Sequence, residues 1–118
     1  MNDKKNDLRE RTTEFALRIV KLYKSLPKST EAQVLGKQVL RSGTSVGAQF
    51  RESQRAKSDP DFINKLESVL QEADETAFWL ELLVRAEIVS AQRLESLRKE
   101  TDEIIAILVT IVTKVKKR

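Results

Sequence analysis

Helix-breaking residues are so sparse in this chain that they punctuate it into long uninterrupted stretches. Only three of the 118 residues are glycine and two are proline, and proline is the residue a helix interior tolerates least. Pro27 and Pro60 therefore mark boundaries. Around them apolar residues recur every three or four positions, the spacing that puts them on one face of a helix. A first helix is expected over 7–26, opened by Asp7-Leu8-Arg9-Glu10 in the form of a capping box and carrying Leu8, Phe15, Ile19, Leu22 and Leu26. A second is expected over 30–55, opened by Thr30-Glu31-Ala32-Gln33. A third, over 59–87, starts where Pro60 loses no hydrogen bond at the first helical position. Its stripe is Phe62, Leu66, Val69, Leu70, Ala73, Ala77, Leu80 and Val84. A fourth, over 90–116, takes Ser90 as its cap and presents Leu94, Leu97, Ile104, Leu108, Ile111 and Val115. The β-branched run within it continues the helical stripe and has no partner strand elsewhere, so it reads as helix.

The links between these helices are only a few residues long, which makes consecutive helices antiparallel neighbours. The expected fold is all-α, one domain over 1–118 forming an antiparallel up-and-down four-helix bundle. Helices of about 25 residues would run roughly 38 Å, which favours a bundle over a compact orthogonal packing.

Two of the helices are too greasy for one bundle. On helix 3, Phe78, Trp79 and Leu82 fall far from the centre of the core stripe. On helix 4, Ile105, Ile107, Val109 and Val112 widen the apolar face past half the circumference. Such surplus is usually an association surface. With no membrane signature, the economical partner is another copy of the chain. Phe78, Trp79, Leu82, Ile105, Val109 and Val112 are thus the candidate oligomer contacts, and an oligomeric bundle is expected. The alternative is a wide-faced helix set deeper in a monomer core. All three glycines, Gly36, Gly43 and Gly47, lie along one line of helix 2. Each costs up to about 1 kcal/mol in helix propensity, so close approach of another helix is expected to offset them.

The chain has no histidine and no cysteine. That removes disulfides, thiolate nucleophiles, imidazole bases and the common zinc ligand sets, and no cofactor is implied. The polar start of the sequence encodes neither signal nor anchor, so a cytoplasmic location without membrane contact is expected. Charged residues make up 34% of the chain and the net charge is +4, with residues 59–88 acidic and the other segments basic. The acidic helix either pairs with basic neighbours or leaves basic surface facing an anionic polymer. Candidate contacts to RNA or DNA phosphates are Arg41, Arg51, Arg55 and Lys57, with Lys114, Lys116, Lys117 and Arg118 at the far end of the sequence. Arg51 and Arg55 could equally pair with Glu72 or Glu75. No aromatic residue is interleaved with the basic cluster as a stacking platform would need. For catalysis the only constellation is Glu72-x-x-Glu75 with Glu100-x-x-Glu103, acidic pairs broadly of the kind that hold Mg²⁺ in all-α nucleotide pyrophosphohydrolases. The commoner role of such pairs is a solvated or ion-paired face, and the expectation is a protein without enzymatic activity.

The stretch Arg41-Ser42-Gly43-Thr44-Ser45-Val46-Gly47-Ala48-Gln49-Phe50-Arg51-Glu52, followed by Arg55-Ala56-Lys57-Ser58, Asp61-Phe62-Ile63, Lys65-Leu66 and Glu72-Ala73-Asp74-Glu75-Thr76-Ala77-Phe78-Trp79-Leu80, resembles the four-helix bundle proteins first described from intervening sequences of bacterial 23S ribosomal RNA genes, sometimes labelled S23 ribosomal proteins. The resemblance covers nearly the whole chain and is densest over 41–84. It implies a left-handed up-and-down bundle, a ring-like homopentamer and no assigned enzymatic activity. A related branch, the accessory protein of diversity-generating retroelements, is a basic pentamer that binds nucleic acid and a reverse transcriptase. The partners implied are therefore further copies of the chain, RNA or DNA, or a nucleic-acid-processing protein. Departures from the usual pattern are mild: Gln49 stands where relatives often carry Asn, and Ser53 where Ala or Gly is usual. The alternative is a protein-interaction module with no nucleic-acid role.

Overall fold

A computed structural model describes residues 4–118, with side chains described from Leu8 onward. Its four helices are α1 (Lys4–Lys24), α2 (Thr30–Ser53), α3 (Asp59–Arg85) and α4 (Ala91–Lys116), and no strand occurs among the described residues. α1 already runs through Asp7, so Asp7-Leu8-Arg9-Glu10 is helix interior and no cap. α1 also ends at Lys24, before Leu26, whose side chain nevertheless folds back into the core at 4% exposure.

The caps of α2 and α3 sit one residue earlier than the sequence motifs suggest. Ser29, with extended backbone, caps α2 by accepting from the Ala32 amide at 3.4 Å. Gln33 does not complete a box with Thr30; its amide donates to the Pro27 carbonyl at 2.8 Å and its oxygen accepts from the Tyr23 hydroxyl at 3.0 Å. Ser58 caps α3, accepting from the Asp61 amide at 3.2 Å. That leaves Asp59 and Asp61 in the first turn, where carboxylates oppose the positive pole of the helix. Asp61 also accepts from the Lys57 amide, the main cause that holds its carboxyl below the ordinary range, helped by Lys65. Ser90 caps α4 through the Arg93 amide at 3.2 Å. α2 stops at Ser53, short of Arg55, and α3 at Arg85, short of 87. The α3 end turns through Glu87 in the left-handed region (φ 61°), with Ile88 N–H donating to Leu83 O and Glu87 N–H to Val84 O. This is a helix-ending motif usually served by glycine.

α2 packs between α1 and α3, α3 packs on α4, and α1 meets α4 along a sparser seam, giving a flattened body of 48 × 28 × 19 Å. Contacts along the α1–α2 seam fall one after another: Gly36 against Tyr23 and Leu26, Gly43 against Ile19, and Gly47 against the Thr12 carbonyl. Numbering rises along α2 as it falls along α1. The three glycines thus all meet α1, and a methyl group at Gly43 would lie 2.7 Å from Ile19 Cγ1.

Phe15, Ile19, Leu66, Leu80, Leu83, Ile104 and Leu108 are the large side chains that fill the core. On α3 the buried stripe is shifted from the sequence reading toward α2. Thr76 and Leu83 are buried while Phe62, Leu70, Ala77 and Val84 are only half-buried. The shift is chemically tolerable because the buried hydroxyls are paired. Ser42 and Thr76 oxygens lie 2.8 Å apart, Thr76 reaches the Glu72 carbonyl, and Thr12, Ser53 and Thr101 bond carbonyls of the preceding turn.

Candidate functional site

The apolar residues singled out as surplus divide into three groups. Val112 is 6% exposed within the single subunit, so it belongs to the core and is not available to a second copy. Leu82 and Ile105 are half-buried. Phe78 and Val109 stand open at 50% and 47%, the first on α3 and the second on α4. Phe78 packs edge-on against Trp79, ring centres 5.1 Å apart. The Trp79 indole N–H is enclosed without a hydrogen-bond partner, as is the Gln49 side-chain oxygen. A covered indole donor left unpaired costs about 1–3 kcal/mol. Leu17 on α1 and Val34 on α2 are also more than half exposed. The sequence reading missed both because each is a single apolar residue on an otherwise polar flank.

The eight candidate cations fall into two places. Arg41, mid-α2, is committed to α3: its guanidinium lies 3.2 Å from Glu72 and 2.6 Å from Glu75, and these carboxylates raise its pKa, the hydrogen bond to Glu75 first. The alternative pairing of Arg51 or Arg55 with these glutamates is not found among the described residues. Ser42 meets Thr76, so the register places the adjacent Arg41 beside 72 and 75, and residues 51 and 55 lie several turns further along. Arg51 instead donates to Thr13 Oγ1 at 3.0 Å. The other cations collect at the end of the molecule where α2 and α4 finish and α3 begins. Lys116 pairs with Glu67 and Arg118 with Asp59, each at 3.1 Å. Arg55, Lys57, Lys114 and Lys117 have no ion-pair partner among the described residues.

At this end a groove of about 940 Å³ opens between α1, α4 and the α2–α3 turn. Lys57, Lys114 and Arg118 line it together with Leu8, Phe50, Phe62, Ile107, Ile111 and Val115. Basic residues nearly sixty positions apart in sequence thus face one opening, and two phenylalanines stand among them. That juxtaposition arises from the chain folding back on itself, so no local spacing announces it.

Both acidic pairs are held by arginines of other helices. Arg41 grips Glu72 and Glu75 across α2–α3, while Arg11 bridges α1–α4, 2.7 and 2.8 Å from the two Glu100 oxygens and 2.7 Å from Glu103. Arg11, through its hydrogen bonds first, holds the Glu100 carboxyl below its ordinary value of 4.5, and the glutamates push the Arg11 guanidinium higher still. Each pair is therefore an anchor between helices, and the two lie on different seams. Among the described residues no three acidic, histidine or cysteine side chains gather as a metal site would require, and no helix is long and apolar enough to cross a membrane.

Residues 4–110 match the model of the 23S rRNA-intervening sequence protein family. The chain belongs to that family. A solved structure described as a protein of unknown function from the S23 ribosomal protein family of Bacteroides thetaiotaomicron VPI-5482 is 46% identical. It aligns over 94% of this chain and 99% of its own with a TM-score of 0.87, so the family's four-helix, all-α fold is shared at high identity. No curated protein matches.

Proposed function

We propose that this 23S rRNA-intervening sequence family member is a non-enzymatic cytoplasmic scaffold, an antiparallel up-and-down bundle that assembles into a homopentamer and meets RNA or DNA through its basic end. The falling numbering of α1 against the rising numbering of α2 supports the antiparallel course. So do the α1–α4 bridges, in which Arg11 meets Glu100, Arg18 meets Ser96 and Ser25 meets Arg93. The observation that carries the nucleic-acid reading is the cluster of cations without an ion-pair partner among the described residues, Arg55, Lys57, Lys114 and Lys117, at the same end as the groove. Such a surface attracts phosphate without reading sequence. The expected result is binding of a fluorescently labelled RNA oligomer at low salt that weakens steeply and log-linearly as salt rises. Lys114→Glu with Lys117→Glu should reduce it for every sequence tried. Absence of binding at low salt refutes this part of the proposal.

The exposed Phe78 and Val109, with the unpartnered Trp79 indole beside Phe78, favour self-association through α3 and α4. Light scattering should give a mass near five chains, and Trp79→Glu should dissociate or misassemble the particle. A wild-type mass of one chain, or an intact assembly in the variant, overturns the assembly reading. The same exposed aromatic pair also suits a protein partner. Retention of that partner from a lysate after nuclease treatment would favour an interaction module over a nucleic-acid role.

A further inference from the structure

We propose that the groove at the basic end binds a fatty carboxylate, an unbranched apolar chain with one anionic head. The site shares Lys57 and Lys114 with the nucleic-acid reading but is defined by the apolar groove, and Thr110→Trp tests it apart from those cations. Two neighbouring rows of α4 build one wall. Ile107, Ile111 and Val115 form a continuous aliphatic floor, and the row beside it runs Ala106, Thr110, Lys114, Arg118. Residues four apart advance about 6 Å along a helix, so this second row changes from small and neutral to cationic over roughly 12 Å from Ala106 to Lys114, with Arg118 just past the end of α4. Leu8 and Phe62 face the floor from α1 and α3.

The charges around the groove are graded in the same direction. Arg11, near the neutral end, is consumed by Glu100 and Glu103, and Arg118 is paired with Asp59. Lys57 and Lys114 carry no ion pair among the described residues, and Lys57 lies in the α2–α3 turn whose residues Ala56, Lys57 and Ser58 line that end. An apolar channel with its surplus positive charge at one end matches a molecule of the opposite polarity, tail along Ile107 and Ile111, head at Lys57 and Lys114. Phe50, only 4% exposed, offers no open ring face for a stacked nucleobase.

The test is isothermal titration of the full-length protein with laurate below its micelle concentration, beside dodecyltrimethylammonium, which has the same tail and the opposite charge. Laurate is expected to bind with one site per chain and the cationic surfactant far more weakly. Lys114→Glu should weaken laurate about tenfold. Thr110→Trp should block it by filling the groove from an exposed position whose replacement spares the core. Val34→Ser, an exposed position of α2 outside the groove, should leave it unchanged. No heat with laurate, equal affinity for the two surfactants, unaltered binding by Thr110→Trp, or loss on Val34→Ser would each overturn the assignment. RNA affinity measured on the same samples separates failure of this site from failure of the phosphate-binding reading.

Discussion

Gly43→Ala should destabilise the protein even though alanine is the better helix former. The new methyl would stand 2.7 Å from Ile19 Cγ1 and 2.9 Å from Cγ2, well inside the roughly 3.5–4.0 Å optimum for carbon contacts. Ile19 is wholly enclosed, so it cannot swing into solvent, and overpacking of this kind costs about 1–3 kcal/mol. The propensity gain returns up to about 1 kcal/mol. With the full propensity gain, a net loss of up to about 2 kcal/mol follows, lowering Tm by up to roughly 8 °C for a domain of this size. Urea titration at fixed protein concentration measures it, provided the m-value is unchanged. The decisive arm is the double variant. Ile19→Ala alone should cost about 2–5 kcal/mol, but in that background the obstacle is gone and Gly43→Ala should become stabilising by about 1 kcal/mol. Gly36→Ala supplies a comparison, since its nearest obstacle is the terminal methyl Leu26 Cδ1 at 2.5 Å, which can rotate, and its cost should be smaller. A stabilising Gly43→Ala in the wild-type background, or simple additivity with Ile19→Ala, would refute the claim that close packing against α1 is what this glycine provides.

Glu87→Gly should stabilise by about 0.5–1 kcal/mol, because a side chain at φ 61° is strained and glycine is not; a lower thermal midpoint would contradict this. Acid sensitivity should report the Arg11–Glu100 bridge. Its folded-state carboxyl is held below the ordinary 4.5, so its stabilisation is complete above about pH 4.5 and is lost as the pH falls through the lowered value. Glu100→Gln should therefore lose stability at neutral pH and show a shallower decline on acidification, and stability curves that run parallel to wild type would exclude the bridge as a cause.

Long-range periodicity carries the fold in this sequence, which is why four helices are legible from it, while single-residue choices at their ends are not. Ser29 and Thr30 are both competent caps by type, and only the extended backbone at Ser29 decides between them. The α3 end has no glycine to mark it, so the turn at Glu87 carries no sequence signal. Val112 and Val109 are the same residue type three positions apart, yet one lies inside and the other outside. Helix rotation, set by the partner helices, decides which. The basic residues were recognisable by composition, but their convergence around one groove depends on α2 and α4 finishing at the same end of the molecule. Arg41 shows the converse: a sequence-level candidate for phosphate is spent on two glutamates by a register that Ser42 and Thr76 fix.

The first and last helices of the chain are tied to each other by Arg11, Arg18 and Arg93 reaching across the seam where their backbones come close at few places, so the bundle closes there through long polar side chains. Local opening is therefore expected to start along that seam, while the central pair keeps its buried hydroxyl contact.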